Sequence, residues 1–176
     1  MAPPTQILRE EHRVILRCLE LVETAAGRLA AGQPQPAGWW EQVIRRLRAF
    51  ADVNHHAKQE RFLFPALAKA GVPAEGGPVD VMLQEHVQGR GLIQAMEGGD
   101  PARRADAARR YVQLLRDHID KENGVLFPLT DAVLDTAAQQ ALGREFETVE
   151  AEQGRDASIA HAEAEVDRLS RALEGA

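Results

Sequence analysis

One short phrase occurs twice in the chain and constrains its fold more than any other feature of the sequence. The first copy is His56-x-x-x-Glu60 followed by Leu63-Phe64-Pro65, and the second is His118-x-x-x-Glu122 followed by Leu126-Phe127-Pro128. Residues four apart on a helix lie on one face, with about 5–6 Å between their Cβ atoms. A histidine and a glutamate so placed can bind one metal ion together. The number of residues between the glutamate and Leu-Phe-Pro differs by one between the two copies. The repeat is therefore not exact, and we call this difference a slip.

A second phrase is doubled as well. Glu11-His12 precedes the first copy and Glu85-His86 precedes the second. The two halves of the chain therefore supply four histidines and two carboxylates in the same order. The sequence predicts a metal site made of these six residues, namely His12, His56, Glu60, His86, His118 and Glu122.

Apolar residues around these phrases recur every three to four positions, which indicates amphipathic helices. The predicted helices cover about residues 5–31, 39–70, 79–97 and 101–127, and Gly- and Pro-rich loops separate them. Thr5 is the predicted N-cap of the first helix, and Asp100 is that of the fourth. Short connections between long helices predict an all-α fold, an up-down-up-down four-helix bundle with an additional C-terminal helical segment.

Two regions follow from this organisation. Residues 1–130 are predicted to form the bundle with a di-metal site, and residues 131–176 an acidic helical extension packed on or extending from it. In such a bundle the first and third helices begin where the second and fourth end. All six candidate ligands then lie at a similar depth, on the order of 10 Å from one end.

Several other polar residues have two interpretations. His55 adjoins His56 but shares a helix face with Arg48, Asp52 and Gln59, so the sequence predicts that His55 is exposed and His56 is the ligand. Glu11 and Glu85 could support the neighbouring histidines, although a solvated face is the favoured interpretation. His161 is interpreted as a surface residue and Tyr111 as a core or pocket-lining residue. Cys18 is interpreted as a residue at the boundary of the core.

The ligand count sets the expected metal chemistry. Six ligands with two carboxylates are too many for one tetrahedral zinc ion. Two ions that share both glutamates, each with two histidines, use this set economically. Mixed imidazole and carboxylate ligands around open positions favour iron, with manganese and zinc as alternatives. The sequence therefore predicts two non-haem iron ions with a solvent-derived bridge.

The series His12, His56-x-x-x-Glu60, His86, His118-x-x-x-Glu122 resembles the hemerythrin family, and specifically the bacterial hemerythrin-like (HHE cation-binding) proteins. The resemblance covers roughly residues 5–130. It implies a four-helix bundle with a non-haem di-iron site bridged by Glu60 and Glu122. Oxygen-carrying members have five histidines, two of them four apart on the third helix. Met82 and Arg90 stand at those positions around His86, so the sequence predicts four histidine ligands.

The predicted function is to bind or reduce a small oxidant, which would be dioxygen, hydrogen peroxide or nitric oxide. Consumption of peroxide or nitric oxide would make the protein an enzyme. One alternative is a non-catalytic iron or redox sensor that signals through its C-terminal segment. Another, implied by some relatives of the family it resembles, is a di-iron protein for repair of iron–sulfur clusters.

Charge and cysteine content limit the partners and the compartment. The formal net charge of −6 argues against a nucleic-acid or anionic-membrane binder. From Thr130 onward the chain has eleven Asp and Glu residues but only four Arg residues. This acidic segment is therefore the candidate surface for a protein partner. Cys18 is alone, which indicates a reducing compartment. The N-terminus resembles neither a signal peptide nor a membrane span, and the cytoplasm is the expected location.

Overall fold

Long helices account for most of the computed structural model, which describes residues 3–175. The first helix, α1, is Pro4–Ala30, and the third, α3, is Pro78–Met96. The second helix, α2, is a continuous run over residues 39–69 made of Trp39–Arg46, Leu47–His56, Gln59–Leu63 and Phe64–Lys69. The fourth, α4, covers residues 101–133 and is made of Pro101–Lys121, Glu122–Leu126 and Phe127–Val133. Helices α5, Thr136–Gln153, and α6, Ile159–Glu174, follow.

Helices α1 to α4 form the predicted up-down-up-down bundle. Thr5 at the start of α1 donates its hydroxyl to Asp131 near the end of α4, at 2.8 Å. Further along the same pair of helices, Arg116 binds Glu23, so the two helices run in opposite directions. Within residues 3–175 no strand is present, which confirms the all-α prediction.

Two helices of the bundle widen into π-helical turns next to the repeated phrase. These turns are Gln59–Leu63 and Glu122–Leu126, and each ends just before Phe-Pro. In a regular α-helix the ring of Pro65 would clash with the carbonyl of Arg61, four residues earlier. A turn with i→i+5 hydrogen bonding moves that carbonyl away, so the helix continues through the proline. Pro65 therefore lies within α2 and does not end it.

The candidate site lies between two apolar clusters. One cluster lies on one side of the site. Its residues come after the site in α1 and α3, as Ile15 and Ile93 do, and before it in α2 and α4, as Ala51 and Leu115 do. Residues of the other cluster stand on the opposite side of it in each helix, as Leu8, Leu63, Met82 and Leu126 do. A layer of buried polar side chains is thus enclosed by apolar packing above and below, which limits the access of water.

The C-terminal helices pack on the bundle. Phe146 of α5 is fully buried in one apolar cluster, and Val166, Leu169 and Leu173 of α6 are buried in the other. The indole of Trp39 donates to the carbonyl oxygen of Leu169 at 2.9 Å. Helix α5 ends at Gly154, whose φ of +58° lies in the region that favours glycine. Among residues 3–175, no helix combines the length and apolar character needed to cross a membrane.

Some local expectations hold and others do not. Asp100 caps α4 as predicted, accepting from the backbone N–H of Ala102 at 2.9 Å. Thr5 is not the N-cap of α1, because the helix begins at Pro4 and the Thr5 hydroxyl binds Asp131 instead. Cys18 is buried, and burial raises the pKa of its thiol to about 12. The thiol therefore stays protonated near neutral pH.

Candidate metal centre

Six buried side chains form two groups whose nitrogen and oxygen atoms converge in the centre of the bundle. The first group is His12, His55 and Glu122, and the second is His56, His86 and His118. Within each group the candidate ligand atoms lie within 4.8 Å of one another. The four helices of the bundle all contribute, because the repeated phrases place these residues at the same depth.

The first group is compact. The Nε2 atom of His12 lies 3.1 Å from Nε2 of His55 and 2.9 Å from Oε2 of Glu122. The Nε2 atom of His55 lies 3.6 Å from the same carboxylate oxygen. Three ligand atoms, from α1, α2 and α4, therefore surround one point.

The second group adjoins the first through Glu122. Nε2 atoms of His86 and His118 are 3.2 Å apart, and the rings of His56 and His86 stack with centroids 3.8 Å apart. The other carboxylate oxygen of Glu122, Oε1, lies 3.4 Å from Nε2 of His118. One carboxylate thus faces both groups, with one oxygen toward each.

These spacings fit metal ions. Metal–nitrogen bonds of about 2.0–2.1 Å place neighbouring ligand atoms roughly 3 Å apart, which matches the 3.1 and 3.2 Å between facing Nε2 atoms. Two unprotonated ring nitrogens at that distance would direct their lone pairs at each other. Both ring nitrogens of His56 are buried and have no hydrogen-bond partner among residues 3–175. A cation in each group would satisfy these atoms.

Each histidine has an oxygen atom near its other ring nitrogen, Nδ1, and for four of the five histidines this atom is a hydrogen-bond partner. Four of these contacts are short and belong to the pairs His12–Asn123 (3.1 Å), His55–Glu11 (2.8 Å), His86–Glu60 (2.7 Å) and His118–Glu85 (2.8 Å). Asp52 lies farther from Nδ1 of His56, at 3.5 Å. Such acceptors hold the ring proton on Nδ1 and leave Nε2 free to bind a metal.

The outer carboxylates are themselves paired with cations. Lys58, which is fully buried, binds Glu11, and Lys121 binds Glu85. Arg90 binds both Glu60 and Asp52. The prediction that Glu11 and Glu85 occupy a solvated face is wrong, since both contact histidines of the centre. Arg90 is shared by two carboxylates, so three cations pair with these four carboxylates and the supporting layer keeps a net negative charge.

Protonation of the buried groups follows from these contacts. Burial alone would raise the pKa of Glu122, but His118, His12 and His55 outweigh it and hold that pKa well below its usual range. Burial acts to lower the pKa of His118, yet the charge of Glu122 and hydrogen bonds to Glu122 and Glu85 raise it to about 9. Burial dominates at His12 and His86, whose pKa values are lowered. The only carboxylate in the two groups is therefore ionised.

The structure brings together five of the six predicted ligands and changes the set in two ways. Glu60 lies outside both groups, because its carboxylate faces Nδ1 of His86 and Arg90. In this arrangement Glu60 is a hydrogen-bond partner of His86, and its role as a bridge stays a prediction. The prediction that His55 is exposed is wrong, since His55 is buried and belongs to the first group. Five histidines rather than four surround the centre.

A signal in the sequence could have revealed His55. Counting back from Leu-Phe-Pro in the first copy, Gln59 stands four residues before Leu63, and His55 stands eight before it. The same count from Leu126 reaches Glu122 and His118. Aligned in this way, the repeat has no slip, and Gln59 rather than Glu60 corresponds to Glu122. The choice of His56–Glu60 as the first pair created the apparent slip.

Both phenylalanines of the repeated phrase cover the centre. Phe127 stacks on His12 with ring centroids 5.4 Å apart, and Phe64 stacks on His86 at 5.9 Å. These rings close the end of the centre that faces the apolar cluster around Leu63. On the opposite side a cavity of about 340 Å³ reaches His56 and is lined also by Gly89 and Tyr111. A small molecule can therefore approach the second group from this side.

The two adjacent histidines offer a test of the corrected ligand set. His55→Ala and His56→Ala are each expected to lose metal, because each removes one ligand from a different group. His161→Ala is the control, since His161 lies outside both groups and pairs with Asp156. Metal bound per folded chain is the measurement. Full metal loading of His55→Ala would contradict the place of His55 in the first group and favour the original prediction that only His56 is a ligand.

Comparison with known proteins adds independent information. The family model described as the hemerythrin HHE cation binding domain matches residues 4–130. Uncharacterized proteins of Mycobacterium bovis and of two strains of Mycobacterium tuberculosis are each 26% identical in alignments of length 157 that cover 84% of this chain. The chain covers 60% of the length of these curated relatives. No solved structure matches the chain at a significant level.

Proposed function

Because the chain belongs to the hemerythrin HHE cation-binding family, we propose that it binds two non-haem iron ions and uses them to bind or reduce a small oxidant. The candidate oxidants are dioxygen, hydrogen peroxide and nitric oxide. One observation carries the proposal, namely two groups of buried histidines on either side of Glu122, whose two oxygens lie near His12 and His118. Lone Cys18 supports a reducing compartment such as the cytoplasm.

The residues have distinct roles in this proposal. His12 and His55 would hold one ion, His56, His86 and His118 would hold the other, and Glu122 would bridge them. Bound iron would supply the one-electron steps that reduction of a small oxidant requires. With three histidines on one side and two on the other, the first group has fewer protein ligands. The cavity beside His56, by contrast, reaches the second group.

Residues around the centre restrict what can reach it. The cavity beside His56 is bordered by Arg90, which is held by Asp52 and Glu60, and by Arg48, which is held by Glu97. Phe64 and Phe127 close the other side. This route suits diatomic molecules and peroxide, whereas a large organic substrate would have to displace the paired arginines.

Iron content and oxidant consumption test the proposal. The purified protein is expected to hold about two irons per chain, from the two ligand groups. After anaerobic reduction, the iron-loaded protein should consume hydrogen peroxide or nitric oxide faster than the metal-free protein at equal concentration. Iron bound without consumption of any of the three oxidants would contradict the reductive role and leave binding alone.

A second candidate function, sensing of metal or oxidant through the C-terminal segment, is favoured by one contact. Glu150 of α5 binds Lys58 at 2.7 Å, Lys58 binds Glu11, and Glu11 accepts from His55 of the first group. A displacement of His55 on metal binding can thus be transmitted to α5 through these contacts. Hydrogen exchange of Thr136–Gln153, compared between iron-loaded and metal-free protein, separates the two. A sensor requires a difference in protection there.

A further inference from the structure

His56 differs from the other four histidines of the centre in how its ring is held. His12, His55, His86 and His118 each have an oxygen atom 2.7–3.1 Å from Nδ1. Both ring nitrogens of His56 are buried and have no hydrogen-bond partner among residues 3–175. Its ring stacks on that of His86, with ring centroids 3.8 Å apart. The orientation of the His56 ring is therefore the least constrained of the five.

Asp52 lies near Nδ1 of His56 but is bound to another residue. Its Oδ1 atom is 3.5 Å from that nitrogen, which is longer than the usual hydrogen-bond distance of about 2.7–3.2 Å. The same oxygen accepts from Nε of Arg90 at 2.8 Å. Arg90 also binds Glu60, so two carboxylates fix its position. Arg90 thus keeps Asp52 from holding the ring of His56.

This difference matters once a metal ion is bound. The ion would bind one ring nitrogen of His56, and the other nitrogen of a neutral ring is an N–H donor. A buried donor without an acceptor is costly, and native proteins rarely contain one. The oxygen partners of the other four histidines remove this cost at their rings. His56 is therefore the histidine whose departure from a metal ion would cost least.

The cavity of about 340 Å³ gives the His56 ring a place to move. Among residues 3–175, His56 is the one histidine that lines it, together with residues that include Asp52, Gly89, Arg90 and Tyr111. A water molecule in the liquid occupies about 30 Å³, so the cavity has room for both an imidazole ring and a small molecule. A ring that turned into this space would bring its N–H into contact with water.

We propose that His56 is a displaceable ligand, which leaves the second group and turns into the cavity when a small molecule enters from it. This inference rests on the proposed function, because it presupposes a metal ion held by His56, His86 and His118. The exchange breaks one bond from a ring nitrogen to the metal and forms one bond from the entering molecule. No electron is transferred, and the ring leaves as neutral imidazole with its proton. His86 and His118 stay in place because Glu60 and Glu85 hold them.

Proton NMR of the cobalt(II)-loaded full chain, with sodium azide as the small molecule, tests the inference without relying on activity. Cobalt(II) is paramagnetic and strongly shifts the ring N–H signals of the histidines that bind it. Five shifted signals are expected without azide, one for each histidine of the two groups. Azide should remove one of them. His56→Ala should lack the same signal before azide is added.

The carboxylates near two histidines of the second group provide a matched comparison. Glu85 lies 2.8 Å from Nδ1 of His118, so Glu85→Ala should weaken cobalt(II) binding at the second group about 10–100-fold. Asp52→Ala should weaken it less than about threefold, because the contact of Asp52 with His56 is too long to hold the ring. Both variants remove one negative charge beside the same group, so lost charge alone does not explain a difference between them.

Three results would overturn the inference and leave the metal pair intact. The first is retention of all five signals at the highest azide concentration at which the protein stays folded. The second is loss of a signal that is still present in His56→Ala, because another histidine would then be displaced. The third is an equal loss of cobalt(II) affinity in Asp52→Ala and Glu85→Ala. If His56→Ala does not fold, the third comparison decides, since both carboxylate variants keep every histidine. Failure of the wild type to bind cobalt(II) would refute the proposed metal pair as well.

Discussion

Glu122→Ala is expected to lose metal from both groups and to show the largest functional effect of any single substitution in the chain. Its two oxygens face His12 at 2.9 Å and His118 at 3.4 Å, so each ion would lose a ligand and the negative charge they share. Loss of a residue that only supports a ligand already weakens metal binding about 10–100-fold, and loss of a bridge should exceed that. Metal titration with iron(II) under anaerobic conditions provides the measurement.

Glu60→Ala is the matched comparison for Glu122→Ala. Glu60 contacts Nδ1 of His86 and no atom of the first group, so only the ion held by His86 should bind more weakly. Metal bound only by the folded state adds to stability, so the midpoint of thermal unfolding should rise least on iron addition in Glu122→Ala. Equal losses of both ions in the two variants would contradict the assignment of Glu122 as the sole carboxylate bridge.

Lys58→Met is expected to destabilise the protein more than the removal of any other cation that pairs with a carboxylate around the centre. Lys58 is fully buried between Glu11 and Glu150, and its loss leaves Glu11 buried beside Asn54 and His55 without its cation. Breaking a buried ion pair in this way typically costs about 3–5 kcal/mol. For a chain of this length the midpoint of thermal unfolding should fall by about 6–20 °C.

Two further variants show whether the buried charge is the cause. Glu11→Gln combined with Lys58→Met removes both charges and should recover part of the lost stability. Lys121→Met is the counterpart in the second half of the chain, where Lys121 pairs with Glu85 but keeps 41% of its side chain exposed. A solvent-accessible pair contributes about 0–1 kcal/mol, so this variant should change stability little. Similar losses in Lys58→Met and Lys121→Met would contradict the explanation.

The helices could be predicted from sequence because their signals are local. Proline at the start of α1, α3 and α4, the Asp100 cap and the periodic apolar residues fix most boundaries to within a residue or two. The end of α4 could not be placed, since Pro128 normally argues against a continuing helix. The helix reaches Val133 only because the π-helical turn Glu122–Leu126 makes room for the proline ring.

π-Helical geometry also explains why His55 and Gln59 were missed, because His55 lies in the π-helical stretch Leu47–His56 and Gln59 in the turn Gln59–Leu63. Spacing of 3.6 residues per turn places Val53, His56 and Glu60 on one inward stripe. The structure instead exposes 43% of Val53 and buries Asn54, His55 and Gln59. A π-helical turn holds more residues than an α-turn, so neighbouring side chains are separated by a smaller angle and both His55 and His56 can face inward. Periodicity alone assumes a uniform helix.

The contacts of Glu11 and Glu85 with the centre could not be anticipated for a different reason. A glutamate beside a metal-binding histidine is equally compatible with solvent and with a supporting role. The outcome depends on a cation supplied by another helix, Lys58 of α2 for Glu11 and Lys121 of α4 for Glu85. Such pairs join residues that are 47 and 36 positions apart in sequence. They become visible only once the bundle brings the helices together.

The π-helical turns also restrict which changes of length this sequence can accept. Removing one residue from Gln59–Leu63 would let the turn relax to a regular α-turn without breaking the helix. Removing a residue between His55 and Gln59 would instead rotate His55 by about 100° relative to Leu-Phe-Pro, so its ring would turn away from Glu122. Insertions and deletions in related chains are therefore expected in the loops at residues 31–38 and 70–77, and not in α2 between His55 and Gln59.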